Sequence, residues 1–377
     1  MKKNHHSAVI RLATYNAALF RNEAGELQRD LSDTTDKQAR SVAEIIQIIR
    51  PEIMALLEFD YDPQGASLEL FQQNYLGISQ HGNDPVYFPY TYVVPSNTGI
   101  PTLLDLNSDS VPTGPEDAYG YGRFPGQYAF AILSAFPFDT AGIRTFQYFL
   151  WKDMPGAHLP TDPLTGQPYY SSEILDIFRL SSKNHIDLPV FLPKGTLHLL
   201  VAHPTPPTFD GKEDRNGKRN SDEIRFLADY ITPGERSAYI YDDNRRFGGL
   251  AEDQYFVIMG DMNADPADGD SYNHAIRQLL FHPSLHHLAA MEQYVPSSAG
   301  SYENALKNPR RHSDNLGNPW HDTSIWGLRI DYILPSTGIR VVNSGVFWPE
   351  EADSLYYLVR DQVSSDHFLV WMDLALK

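Results

Sequence analysis

The chain contains no cysteine, which excludes disulfides and thiolate-ligated metal and is compatible with either a reducing or an oxidising compartment. It also lacks the run of about 18 apolar residues that a membrane-spanning helix needs. The opening Met1-Lys-Lys-Asn-His-His is basic, but no apolar run of the signal-peptide kind follows it. A soluble protein is expected, with a mature exported form left open. Basic residues are scarce as well, 30 Lys and Arg against 48 Asp and Glu, for a formal net charge of −18. Such a surface repels a polyphosphate backbone and disfavours tight nucleic-acid binding. It does not exclude a phosphate substrate, because bound divalent cations invert the local field of a carboxylate-rich pocket.

At 377 residues and 42% hydrophobic composition the chain can bury a large core. The reading favoured is one domain with long insertions near residues 95–126, 151–193 and 297–320, where Pro, Gly and polar residues interrupt the pattern. Residues 9–16 (VIRLATYN) read as a strand ending at Asn16. Thr35-Asp-Lys-Gln38 resembles a capping box, Val42, Ile45, Ile46 and Ile49 recur at helical spacing, and Pro51 closes that helix. Residues 53–58 form a second short strand with Glu58 at its far end. Further apolar runs at 128–133, 197–202, 255–259, 330–334 and 368–374 have strand length, and 221–231 and 271–280 read as helices between strands. An α/β layered fold in which sheets carry most of the core follows, and a monomer is expected.

The chemistry-bearing signal is Val257-Ile-Met-Gly-Asp-Met-Asn263, an apolar strand that ends by presenting Asp261 and Asn263 two residues apart. Positions i and i+2 of an extended chain face the same side, so a carboxylate and a carboxamide point together. Taken alone, Gly-Asp-x-Asn also suits a plain turn. Glu58 ends an apolar strand, where an unpaired carboxylate is costly and a metal or cationic partner is a natural explanation. Asn16 closes the first strand. Asp331 sits among apolar residues in Arg329-Ile-Asp-Tyr332, with a salt bridge to Arg329 as the rival explanation. Asp366 and His367 stand side by side before the last strand, and neighbouring residues of an extended chain diverge, so the two serve different partners. His203 ends a strand and is followed by Pro204-Thr-Pro-Pro207, which stiffens the loop behind it. His198, inside that strand, reads as structural. These residues cluster at strand ends, which in sheets with antiparallel neighbours meet at one edge.

The ordered set Thr14-Tyr-Asn16, Leu56-Leu-Glu58, Ala202-His203, Met259-Gly-Asp-Met-Asn263, Arg329-Ile-Asp-Tyr332 and Ser364-Ser-Asp-His367 resembles the endonuclease/exonuclease/phosphatase superfamily over residues 9–374. The resemblance implies a four-layer α/β/β/α sandwich of two mostly antiparallel sheets flanked by helices, as in deoxyribonuclease I. It implies a metal-dependent phosphoesterase with a Mg²⁺-type ion, Mn²⁺ and Ca²⁺ being alternatives. Glu58 looks like the principal metal ligand, helped by Asn16 and Asp366. Asp261 and Asn263 would position or activate the attacking water and hold the phosphate. His203 resembles the histidine that contacts the phosphate and protonates the leaving oxygen, and Asp331 would orient His367. The acidic residue that apurinic endonucleases carry shortly after the first-strand Asn is absent, since Ala17, Ala18 and Leu19 follow Asn16. In the segment after His203, Arg215, Arg219 and Asn220 are expected to grip phosphate oxygens. A small or soluble phosphate ester is the expected substrate, ahead of a deoxyribonuclease-like activity or a non-catalytic binding module of the same fold.

Overall fold

The computed structural model describes residues 9–309 and 314–376, so the Arg310-Arg311 pair lies outside the described residues. In chain order its strands are β1 (Ile10–Asn16), β2 (Ile53–Leu57), β3 (Tyr90–Val94), β4 (Phe130–Ser134), β5 (Arg144–Thr145), β6 (His185–Leu192), β7 (Gly195–Ala202), β8 (Tyr255–Asp261), β9 (Asp331–Pro335), β10 (Ile339–Val346) and β11 (Val370–Leu376). They form a six-stranded sheet, ordered β10-β11-β1-β2-β4-β3, and a five-stranded sheet, ordered β5-β6-β7-β8-β9. Each sheet has one parallel pair, β1 with β2 and β7 with β8, and the other pairings are antiparallel. A parallel pair needs a crossover. The helices Lys37–Ile49 and Arg215–Tyr230 supply the two crossovers.

Strand alternation builds the layers. On β7, Leu197, Leu199 and Val201 join Leu12, Met54, Val257 and Met259 in the core between the sheets. Leu200 and Ala202, pointing the other way, pack with Ile224 and Leu227 of the Arg215–Tyr230 helix. The outer face of the first sheet is covered by Val42, Ile45 and Ile46 of the Lys37–Ile49 helix. Two mixed, mostly antiparallel sheets flanked by helices result, which is the α/β sandwich expected.

Local details depart from the sequence reading. The cap of the first long helix is Asp36, whose carboxylate accepts from Ala39 N at 2.7 Å. Gln38 instead donates to the carbonyls of Ala17, Ala18 and Ser364, tying together the loops after β1 and before β11. The helix expected over 221–231 begins at Arg215. That over 271–280 is a short 3₁₀ turn, Tyr272–His274, with left-handed backbone at Asn273 and His274, followed by one helical turn, Arg277–Leu280. The segment 151–193 is not wholly an insertion, because its end is β6, paired along its length with β7. Pro189 disguises it, and is tolerated because β5 pairs only with Asp187 and Ile186 of β6.

Candidate active site

Asp261 and Asp331 are register partners at the end of β8 and the start of β9. They share strand parity with Met259 and Ile333, so both carboxylates face the other sheet. From that sheet Asn16 reaches across and donates Nδ2 to Asp261 Oδ2 at 3.1 Å. Gly260 explains itself here: its φ is +144°, and a Cβ would lie 2.0 Å from the carbonyl oxygen of Ala202. That close approach of β7 and β8 sets His203 Nε2 3.4 Å from Asp261 Oδ2. His367 Nε2 lies 3.7 Å from the same oxygen. The other ring nitrogen of His367, Nδ1, is 2.9 Å from Asp331 Oδ2. Asp331 is fixed in turn by the Thr323 hydroxyl at 2.7 Å. Arg329 does not pair with Asp331, since its guanidinium donates to the carbonyl of Ala290 and stacks on Tyr332. Asn263, with left-handed backbone, donates its N–H to Asp261 and its amide to the Pro204 carbonyl.

Burial governs the charges. Asp261 is pushed up from the ordinary carboxylate range by burial and by neighbouring Asp331, with His367 pulling the other way. His203 is held well below its usual value by burial and by the cations Lys183 and His367, so it is neutral. Burial works against the charge of His367 too, but Asp331 and Asp261 outweigh it and raise the imidazole to about 10. One histidine is thus neutral and the other is an imidazolium. Asp261, Asp331 and His367 place ligand atoms within 4.8 Å of one another, and within that cluster His367 is hydrogen-bonded to Asp331.

Glu58, turned out of β2 by left-handed backbone, carries a carboxyl raised by burial and by the neighbouring Asp366 carboxylate. Asn16 presents Oδ1 nearby, engaged only by Ala18 N at 3.3 Å. Two carboxylates and an amide oxygen make an all-oxygen donor set suited to a hard divalent cation, and two adjacent acidic groups next to core fit one. Asp366 and His367 diverge as adjacent residues should, one toward Glu58 and one toward Asp331.

Glu58 also lines a cavity of about 550 Å³, walled by Tyr121, Tyr128, Tyr170 and Phe178. Lys183, which sequence reasoning missed, lines it as well and is 6% exposed. Its ammonium has no hydrogen-bond or ion-pair partner among the described residues, and burial lowers it against the attraction of Glu58, Glu223 and Asp261. Nothing in Ser181-Ser-Lys-Asn184 distinguishes it from a surface loop. Of the three residues expected to grip phosphate, Arg215 lines the cavity and pairs with Glu213. Arg219 lines it too, but its Nε and Nη2 are committed to the carbonyls of Leu180, Tyr119 and Arg179. Asn220 does not reach it: the fully buried amide donates to the carbonyls of Thr205 and Met262, so it clamps the His203 and Asp261 loops from behind. Glu223 does the same for the Lys183 and His203 loops, accepting Ser182 N at 2.8 Å and Thr205 N at 2.6 Å. A signal existed, since Asn220, Glu223 and Leu227 follow helical spacing on the inward stripe.

A layered α/β sandwich with acid, amide and imidazole groups converging where its sheets meet is the architecture of a phosphoesterase class. The family model described as Endonuclease/Exonuclease/phosphatase family matches residues 13–367, and the chain belongs to that family. Its members are metal-dependent phosphoesterases and nucleases. Among solved structures, an endonuclease/exonuclease/phosphatase from Beutenbergia cavernae is 15% identical over 98% of this chain and 72% of its own, with a TM-score of 0.52. A family protein from Leptotrichia buccalis is 12% identical over 98% and 99% of the two chains, with a TM-score of 0.46. A beta toxin mutant from Staphylococcus aureus with bound magnesium ions is 12% identical over 98% and 100%, with a TM-score of 0.44. No curated protein matches the chain. Likeness at these identities concerns the fold alone. Among the described residues, no helix is long and apolar enough to cross a membrane.

Proposed function

We propose that this protein hydrolyses a small, soluble phosphate ester by in-line attack of water, using a divalent ion held by Glu58, Asp366 and Asn16. The observation that carries the reading is the meeting of Asn16, His203 and His367 around one buried carboxylate, Asp261, beside a cavity lined by Glu58 and Lys183. When bound, the ion supplies positive charge against the phosphate and the oxyanion that develops on it. Asp261, raised toward neutral pH, accepts a proton from the attacking water, and Asn263 holds the adjacent loop. His367, kept protonated by Asp331, donates to the phosphate and supplies the proton to the leaving oxygen as its bond to phosphorus breaks. Neutral His203 offers a hydrogen bond without adding charge. Lys183 neutralises a second phosphate oxygen.

The test is an activity panel comparing an aryl phosphomonoester, an aryl phosphodiester, plasmid DNA and sphingomyelin, each with EDTA, Mg²⁺, Mn²⁺ and Ca²⁺ at about 0.15 M salt, where surface repulsion is partly screened. Metal-dependent turnover of the small esters, exceeding that of DNA, is expected, and Glu58→Gln should lower metal affinity and turnover together. Full activity in excess chelator refutes the metal mechanism. DNA as the better substrate replaces the phosphatase reading with a nuclease one.

A further inference from the structure

The cavity holds more buried cationic capacity than one phosphate uses. Arg219 is 6% exposed and lines it, with Nε and Nη2 saturated by three carbonyls, while Nη1 has no hydrogen-bond partner among the described residues. That arm of the guanidinium is left available to an acceptor in the cavity that Arg219 lines. Arg215 lines the cavity beside Asn216, one guanidinium arm on Glu213 and the plane 5.7 Å from the Tyr169 ring. The groups form a series, because Lys183 senses both Glu58 and Arg219, and Tyr170 senses both Arg219 and Arg215. Lys183 stands at the catalytic end and Arg215 at the other. Besides Glu58, the carboxylate among the lining residues is Glu116, which is exposed. In a molecule of net charge −18, three cations lining one cavity, where Glu58 and Glu116 are the lining carboxylates, are a local concentration of positive charge. A volume of about 550 Å³ accommodates a ring or carbon skeleton as well as a phosphate, and the aromatic walls suit one.

We infer that the cavity selects phosphate esters bearing a second anionic group, with Arg219 and Arg215 holding that group while the scissile phosphate lies against Lys183 and Asp261. The inference rests on the phosphoesterase reading for the identity of the first group, but not for the binding of the second.

The experiment compares fructose 1,6-bisphosphate with fructose 6-phosphate, and adenosine 3′,5′-bisphosphate with adenosine 3′-monophosphate. It uses kcat/KM with Mg²⁺ and, separately, calorimetric binding with Ca²⁺. Each bisphosphate should be favoured by roughly 10- to 100-fold, chiefly through KM, the scale of one or two charge-assisted hydrogen bonds. Arg215→Gln should reduce the preference about 10-fold. Arg219→Lys should do so too, but because Arg219 also ties down three carbonyls, a melting curve accompanies it and Arg215→Gln remains the decisive variant. Equal efficiency within twofold for both pairs, or a preference untouched by Arg215→Gln, overturns the inference while leaving the phosphoesterase reading intact. Tighter, Arg215-dependent binding of the bisphosphates without turnover upholds it and defeats that reading. Neither turnover nor preferential binding defeats both.

Discussion

Replacing Glu223 with Gln should destabilise the protein and slow it, although Glu223 touches neither the cavity nor any proposed metal ligand. Its two carboxylate oxygens accept Ser182 N at 2.8 Å and Thr205 N at 2.6 Å, and the side chain is fully buried. Glutamine keeps the shape but has one acceptor, so an amide NH₂ must face one of the two backbone donors. One hydrogen bond to a charged group, about 1.5–3 kcal/mol, is lost, and a buried N–H left unsatisfied costs a further ~1–3 kcal/mol, so a loss of about 2.5–6 kcal/mol is expected. Unfolding entropy near 2.1 cal/mol/K per residue gives roughly 0.8 kcal/mol/K for the 377-residue chain. The melting temperature should therefore fall by about 3–8 °C by scanning calorimetry. Because the bonded loops carry Lys183 and His203, a shift of either away from the phosphate should cut kcat by roughly 10- to 100-fold. A Gln variant that melts and turns over like the parent refutes the clamp.

Two further outcomes follow from the geometry. His203→Ala and His367→Ala should each lower turnover about 10²-fold or more in steady-state assays on folded protein, the usual scale for losing a hydrogen-bond donor to the transition state in the first case and a positioned acid in the second; a His203→Ala enzyme at the parent rate removes its assigned role. Asp322, which burial and the nearby Asp265 and Asp268 push up to about 8, binds its proton more tightly in the folded state than in the unfolded one. Its cost to stability is absent below the unfolded value near 3.9 and grows as pH rises toward 8. Asp322→Asn should therefore melt above the parent at pH 9 and converge with it near pH 4, and a constant difference across that range contradicts the assignment.

The parts of the site that were legible in the sequence are those set by strand periodicity and chain order. Asp261 and Asn263 were visible because an apolar strand runs straight into them. Asp366 and His367 were visible because they directly precede one. The Asp331–His367 contact spans 36 positions, and only the resemblance to a family pointed to it. Lys183 and Glu223 were illegible for different reasons. The first sits in a polar loop, and the cavity it lines is closed by residues as far away in the chain as Glu58, Tyr121 and Tyr128. The second is a polar residue on the inward stripe of a helix, where its value depends on two backbone N–H groups that no local pattern reveals. The misjudged β6 shows the same limit, since Pro189 reads as a breaker unless the partner strand on each side is known.

Backbone conformation adds an independent argument that the cavity edge is built for chemistry. Glu58, Tyr128 and Asn263 have φ values of +53°, +60° and +50°, a region that costs a non-glycine residue about 1–3 kcal/mol and persists only where surroundings enforce it. At Tyr128 the enforcement is visible: its N–H donates to Asp60 Oδ1 at 3.1 Å, while Oδ2 of the same carboxylate accepts Arg21 N at 2.8 Å. At Asn263 it is Asp261 and the Pro204 carbonyl. At Glu58 the following residue is pinned, with Phe59 N donating to the Ala129 carbonyl at 2.9 Å. Each of these turns takes a side chain out of the alternation of its strand or loop, and Glu58 and Tyr128 are thereby brought to the lining of the same cavity as Lys183 and Arg219.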